Sequence, residues 1–320
     1  MKPSIFITRK LPDTVIEPLN SEFEVEMWDK EDVPVPRDML LEKANGASAL
    51  ITMLSDKVDT ELMEQAPSLK VVANLAVGYD NIDLEAANQK EVVICNTPDV
   101  LTDTTADLTF ALLMTSARRI VEADRYIKEG QWKSWSPLLL AGADIHHKTI
   151  GIVGMGSIGE AVARRAKGFD MNILYHNRSR KPEAEEKLGA VYVKLDELLA
   201  QSDFVVVLAP LTEETEGLFQ KEQFKAMKKS AFFINAARGA IVNEEALIEA
   251  LNTGEIAGAG LDVFVNEPID SNHPLLSLDN VVALPHIASS STETRLAMMN
   301  LCVQNIIAVL KGDKPKTQVK

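Results

Sequence analysis

Short apolar runs alternate along this chain with stretches whose apolar residues fall at helical spacing. Ahead of Thr102 the strand-like runs are Ser4–Thr8, Phe23–Trp28, Ala49–Leu54, Val71–Val77 and Val92–Asn96. Segments such as Asp59–Gln65 and Asp83–Gln89 carry the helical pattern instead. Alternation of this kind predicts βα units around a parallel sheet. A long helix is predicted from Thr102 to about Gly130, with Thr102 or Asp103 to cap its start and Gly130 to stop it. Apolar residues run round much of its circumference, as in a helix buried on more than one side. From Lys148 the alternation restarts, with strands predicted at Thr149–Val153, Asn172–His176, Val191–Val193, Phe204–Ala209, Ala231–Asn235, Gly260–Phe264 and Val281–Leu284. Several are apolar throughout, as strands covered on both faces are. A last helix, about Thr292–Leu310, leads into a polar tail, GDKPKTQVK, expected to fray.

The two βα regions adjoin without a low-complexity linker or an internal repeat. Gln131–Ala143 breaks the pattern: it combines Trp132, Trp135 and the run Leu138, Leu139 and Leu140 with Pro137 and Gly142. It predicts a loop that needs cover, from another subunit for instance.

Composition narrows the class. At 320 residues, with 46% hydrophobic and 25% charged positions, the chain can build two sizeable cores. A net charge of −14 with no basic cluster argues against nucleic acid or anionic lipid as partner. Cys95 and Cys302 are too few for a disulfide framework and read as small buried hydrophobes; no pair has zinc-ligand spacing, so no metal is expected. The start, MKPSIFITRK, lacks a signal-peptide core, and no run approaches the roughly 18 apolar residues of a membrane span. The expected location is the cytoplasm.

Chemistry enters at Gly154-Met155-Gly156-Ser157-Ile158-Gly159. G-x-G-x-x-G alone is a weak signal, but here an apolar strand leads in and an alanine-rich helix leads out. In that setting the first glycine permits a tight turn, the second lets backbone approach a pyrophosphate, and the third lets helix and strand pack closely. The helix N-terminus adds free N–H groups and a positive dipole end. About twenty residues on, NAD-binding turns carry an acidic residue for the ribose 2′-OH. This chain has Asn177 there, followed by Arg178, Ser179 and Arg180. A neutral side chain removes repulsion and guanidinium groups can clamp a 2′-phosphate, which predicts NADP, with NAD possible.

Three more segments set polar residues just past apolar strands: Arg238 in FINAARGAIVN, Glu267 in LDVFVNEP and His286 in VALPHIASSS. Ligands of open α/β sheets bind outside the carboxyl ends of strands, so the three can converge on one crevice. An Arg to bind and polarise an oxo acid, a His to supply a proton and a Glu to orient it suit hydride transfer to a ketone.

These segments, in the order Arg, Glu, His, together with VGYDNID (Val77–Asp83), NTPDVLTDTTAD (Asn96–Asp107) and the glycine motif, resemble the D-2-hydroxyacid dehydrogenase family over nearly the whole chain. Within it, TPDVLTDTTAD followed by WKSWSPLLL is most similar to glyoxylate/hydroxypyruvate reductases and the related 2-ketogluconate reductases. The resemblance implies an α/β fold of two domains: a Rossmann dinucleotide-binding domain, 101–288, inserted in a flavodoxin-like substrate domain, 1–100 and 289–320, with a cleft between them that closes over substrate. It implies catalytic Arg238, Glu267 and His286, and a substrate carboxylate held by the Val77 and Gly78 amides with Arg238. Thr104 is implied near the nicotinamide, and Pro210, Thr215, Ala236, Asp262 and Ala288 beside the cofactor. It also implies a homodimer, with Trp135 near the partner subunit's substrate cleft. A competing reading of a different class is an NAD(H)-sensing scaffold akin to the C-terminal-binding corepressors; the short tails favour the enzyme.

Overall fold

The structure is a computed structural model that describes residues 2–319. The chain divides into two compact units, Met1–Leu101 with Ser291–Lys320 and Thr102–Ser290, so the second is an insertion in the first.

The first unit holds a parallel sheet of β1 (Ser4–Ile7), β2 (Glu24–Met27), β3 (Ala49–Thr52), β4 (Val71–Asn74) and β5 (Val93–Cys95), in the order β2-β1-β3-β4-β5. That is the flavodoxin-like strand order. Every residue of β3 and β4 is buried, because helices cover both faces, whereas EVEM in the edge strand β2 is not fully covered at any position. Asp59 and Asp83 accept the amides of Leu62 and Ala86 at 3.1 and 2.9 Å and so start the helices Thr60–Gln65 and Leu84–Gln89. Helices at Asp13–Asn20 and Arg37–Gly46 were not expected: the first contains Pro18, and both begin after a proline, Pro12 and Pro36, in place of a polar cap.

As far as Val319 the polar tail is held and not frayed, and Lys320 lies outside the described residues. Val319 donates its amide to Ile94 at 2.8 Å, Asn305 accepts the amide of Lys316 at 2.8 Å, and the Thr317 hydroxyl donates to the Asn96 carbonyl at 2.7 Å. An open strand edge at β5 and a buried asparagine in the helix Thr292–Lys311 supply partners that a reading of the tail alone could not see. Cys95 and Cys302 are both buried, and burial pushes the Cys95 thiol up to about 12 and the Cys302 thiol up as well, so neither is reactive.

The second unit is a seven-stranded parallel sheet of β6 (Thr149–Val153), β7 (Asn172–His176), β8 (Val191–Tyr192), β9 (Phe204–Val207), β10 (Phe232–Asn235), β11 (Gly258–Leu261) and β12 (Val281–Ala283), in the order β12-β11-β10-β9-β6-β7-β8. The order reverses between β6 and β9, the topological switch point of a dinucleotide-binding sheet. Phe204, Val205, Val206 and Val207 are each at most 1% exposed, which explains an apolar run with no alternation. β11 starts two residues before the expected Gly260, because the glycine- and alanine-rich GAGL carries little hydrophobic signal although all of it is buried.

The helix expected from Thr102 to Gly130 is two helices, Thr102–Ala117 and Ile120–Lys128. Arg119 takes a left-handed conformation between them (φ 53°), and its guanidinium binds Glu122 through two hydrogen bonds of 2.7 Å. The Ala117 carbonyl accepts the amide of Ala143 at 2.9 Å instead of continuing the helix. Neither partner is a glycine or proline, so no local breaker announces the bend. No described helix is long and apolar enough to cross a membrane.

Candidate active site

Because all seven strands of the second unit run parallel, the turns that follow β6, β7, β9, β10, β11 and β12 lie along one edge of its sheet. Those turns contain Gly154 to Gly159, Asn177 to Arg180, Pro210 to Thr215, Ala236 to Arg238, Asp262 to Glu267, and His286 to Ala288. Every strand-end residue singled out in the sequence therefore stands on that edge.

After β6 the chain turns at Gly154, where φ is +106° and a Cβ would lie 2.4 Å from the Ala209 nitrogen. Only glycine fits there. A Cβ on Gly159 would meet the Gly154 carbonyl oxygen at 2.3 Å, whereas one on Gly156 would project into open space. Gly156 is the residue before the eleven-residue helix Ser157–Lys167, which no side chain caps. Uncapped N–H groups facing a space kept clear by a missing side chain fit a pyrophosphate. Met155 is fully buried, so only its backbone reaches the turn, while Ser157 is exposed. Thr104 lies in the first turn of the helix Thr102–Ala117.

After β7, Asn177 donates its amide to the Ser179 carbonyl at 3.1 Å and so fastens the turn. Arg180 is engaged by Glu185 through hydrogen bonds of 3.0 and 2.5 Å, and Glu185 also accepts the Tyr175 hydroxyl at 2.7 Å. Arg180 and Tyr175 hold the Glu185 carboxyl below the ordinary range, so it stays charged. Arg178 is exposed and has no side-chain partner among the described residues. After β9, the Thr215 hydroxyl donates to the Pro210 carbonyl at 2.7 Å and accepts the Thr212 amide at 2.8 Å, closing that loop on itself.

The last three turns are tied to one another. Buried Asn235, at the end of β10, donates to the Arg238 carbonyl and accepts the Ala237 amide, both at 3.0 Å. Gly239 sits against the next turn, and a Cβ there would lie 1.9 Å from the Phe264 carbonyl carbon. Glu267 accepts the Phe264 amide at 2.9 Å through one oxygen and meets His286 Nδ1 at 2.7 Å through the other. Burial works to raise the Glu267 pKa, but the hydrogen bond and charge of His286 outweigh it and hold the carboxyl below the ordinary range. His286 is also left-handed (φ 54°), with its amide donated to the Asp262 carbonyl at 2.9 Å.

Asp262 is fully buried, and its two oxygens accept the amides of Ile287 and Ala288 at 2.8 Å each. Burial raises its pKa despite those two bonds. Each of its oxygens takes one backbone amide, so it fixes the His286 turn. Asn235 and Gly239 were not singled out in the sequence. Gly239 could have been, since a glycine directly after a polar strand-end residue signals close backbone approach. Replacing Gly239 by Ala forces the Arg238 and Glu267 turns apart. The expected result is a fall of about tenfold or more in kcat/KM, since misplacement by about 1 Å can cost a hundredfold. Steady-state kinetics on a variant with wild-type circular dichroism checks it.

In the first unit, Val77 and Gly78 follow β4 in a half-buried turn, and no described group accepts their amides. Trp135 is 78% exposed and Leu138 81%, and the helix Ile120–Lys128 has no buried residue.

A parallel sheet in Rossmann order, a glycine turn open to a pyrophosphate, and a carboxylate–imidazole pair on the same edge define a nicotinamide-dependent dehydrogenase. The comparisons with known proteins say which kind. Residues 110–288 match the model of the D-isomer specific 2-hydroxyacid dehydrogenase NAD-binding domain. The chain is 52% identical to a glyoxylate reductase of Thermococcus onnurineus, over 100% of this chain and 96% of that one. It is 48% identical to a glyoxylate reductase of Korarchaeum cryptofilum with the same coverage. Among solved structures, a protein of Thermus thermophilus superposes with a TM-score of 0.93 at 44% identity, covering 99% of this chain and 100% of that one. The NADPH-dependent glyoxylate/hydroxypyruvate reductase of Sinorhizobium meliloti, in complex with NADP and malonate, superposes with a TM-score of 0.86 at 35% identity, covering 100% and 97%. The chain belongs to the D-isomer specific 2-hydroxyacid dehydrogenase family. Its reaction is the reduction of a 2-oxo acid to the 2-hydroxy acid with a nicotinamide dinucleotide.

Proposed function

We propose that this chain is an NADP-preferring glyoxylate/hydroxypyruvate reductase in which Arg238, Glu267 and His286 carry the chemistry. The observation that carries the reading is the 2.7 Å contact of Glu267 with His286 Nδ1, on the sheet edge that also bears the glycine turn. The Gly154–Gly159 turn and the N-terminus of Ser157–Lys167 would hold the pyrophosphate, and Asn177 and Arg178 the 2′-phosphate. When bound, the nicotinamide supplies the hydride for substrate C2. With Nδ1 committed to Glu267, Nε2 is the nitrogen of His286 left to give a proton to the forming alkoxide. The Arg238 guanidinium binds the oxo acid and stabilises charge as it develops on oxygen. The Val77 and Gly78 amides of the first unit, the substrate domain, receive the carboxylate.

The preference for glyoxylate and hydroxypyruvate over 2-ketogluconate rests on the relatives; the three acids share a carboxylate with a carbonyl at C2 and differ in what else C2 carries. Comparison of kcat/KM for the three acids with NADPH tests it. The expected order places glyoxylate or hydroxypyruvate first; turnover of none of them removes the enzyme reading in favour of a cofactor-sensing scaffold.

Assembly as a homodimer is part of the same proposal. Trp132, Trp135 and Leu138 are exposed, as are Ile120, Val121 and Ile127 of the preceding helix. A cavity of about 770 Å³, lined by Val121, Phe232, Leu276 and Val282 among others, opens where β10 and β12 begin, opposite the catalytic edge. An apolar surface of that extent marks an interface. Light scattering at micromolar concentration should give twice the 35.1 kDa chain mass; an active monomer contradicts it.

A further inference from the structure

The Val77–Gly78 turn is aimed by groups that have not been given a role. Three consecutive carbonyls in it are each clamped from one side. The Ala76 carbonyl accepts the Thr97 amide at 2.9 Å, the Val77 carbonyl accepts Asn96 Nδ2 at 2.8 Å, and the Gly78 carbonyl accepts Asn74 Nδ2 at 3.0 Å. In a trans peptide the carbonyl and the following N–H point in opposite directions. Clamping the Ala76 carbonyl therefore directs the Val77 N–H away from Thr97, and clamping the Val77 carbonyl directs the Gly78 N–H away from Asn96. Neither amide has an acceptor among the described residues. The result is a pair of amides held outward in fixed directions, the arrangement that grips an anion.

The clamps are themselves fixed. Asn74 is fully buried at the end of β4, accepts the Thr52 hydroxyl at 3.1 Å, and donates to Asn81 at 3.2 Å. Asn81 in turn donates to the Met53 and Asp56 carbonyls at 3.2 and 2.8 Å. Asn96 is held through its backbone, whose carbonyl accepts the Thr317 hydroxyl and whose amide donates to the Thr317 carbonyl at 3.2 Å. Asparagine suits the Asn74 position because a short side chain with two N–H donors can hold a carbonyl while its oxygen takes another bond.

We propose that Asn96 is a positioning residue for the substrate carboxylate: its side chain sets the Val77–Gly78 peptide plane, whose amide receives it. The proposal rests on the reading that the Val77–Gly78 turn is the carboxylate receptor, and the experiment separates the two. The reading predicts that the wild-type enzyme prefers glyoxylate over glycolaldehyde, which has a hydroxymethyl group in place of the carboxylate. The proposal predicts that Asn96→Ala and Asn96→Asp each lower that preference about tenfold, chiefly through the KM for glyoxylate. With glycolaldehyde, kcat/KM should stay within about twofold, as should the KM for NADPH. Substitution of the side chain leaves the backbone bonds of Asn96 to Thr317 in place, so thermal midpoints should be close to wild type.

If wild type shows no preference for glyoxylate, the carboxylate reading fails and the proposal with it. If wild type prefers glyoxylate but the Asn96 variants keep the full preference, the reading stands and the positioning role is overturned. Equal losses with both substrates also overturn it, since that pattern marks a merely structural residue.

Discussion

Replacing His286 by Ala lowers kcat/KM for reduction by about 10²–10⁴-fold, the usual contribution of a positioned general acid. The size follows from geometry. His286 is held on two sides, by its amide on the Asp262 carbonyl and by Nδ1 on Glu267, so Nε2 has one direction to face. Its side chain is 23% accessible, enough to meet a substrate and too little to be screened as bulk water screens. Reduction consumes the proton on Nε2, and oxidation needs that nitrogen free to accept one. The Glu267 pKa is depressed, so the charged pair persists at pH values where an ordinary glutamate begins to protonate, and it is lost only as pH falls through that lower value. Activity should therefore survive acid further than a free glutamate would allow. Kinetics of wild type and variant across pH, in both directions, test this; near-wild-type turnover of the variant at any pH removes His286 from the mechanism.

The residues of that site were legible in unequal measure. Arg238, Glu267 and His286 could be picked out because each breaks an apolar run at a strand end, and a parallel sheet brings such ends to one edge whatever lies between them in sequence. What the groups that hold them do could not be read, although Gly239, directly after a polar strand-end residue, could have been noticed. Asn235 bonds within its own turn, but Asp262 accepts the amides of Ile287 and Ala288, and Gly239 is required by Phe264. These are contacts between turns, invisible to a window sliding along one of them. The fold was similarly uneven. Valine-rich β9 announced itself, whereas GAGL in β11 and the bend at Arg119 did not, since the first has little side chain and the second depends on a bond from Ala143.

Wild type should prefer NADPH over NADH by about tenfold or more, and the double change Asn177→Asp with Arg178→Ala should reverse that preference, a swing of about a hundredfold. An aspartate at 177 would set a negative charge against the 2′-phosphate, a repulsion of roughly 1–3 kcal/mol after solvent and salt, and each 1.4 kcal/mol is a factor of ten. Loss of Arg178 removes the attractive partner. On the proposed NADP reading Arg178 is the guanidinium to test first, because Glu185 already occupies the Nε–Nη2 edge of Arg180. Arg180→Ala alone should accordingly change the cofactor ratio less than Arg178→Ala. Steady-state kinetics with both cofactors at one ionic strength checks all three variants, and the effect should lie in the cofactor KM with kcat at saturating NADH nearly unchanged. Equal use of NADH and NADPH by wild type would mean that Arg178 points into solvent.

The docking of the helix Thr292–Lys311 and its tail onto β5 has a consequence for how the chain is made. That helix lies in the first unit, yet it leaves the ribosome only after every residue of Thr102–Ser290. The β1 to β5 segment therefore waits, with the helix-side face of β4 uncovered, while the inserted unit is synthesised and can fold. Assembly of the first unit then follows synthesis of the inserted unit, and the Asn305, Thr317 and Val319 bonds close it. Until those bonds form, the Asn96 clamp lacks its anchor, so in a nascent chain the glycine turn of the inserted unit can take shape before the Val77–Gly78 turn is fixed.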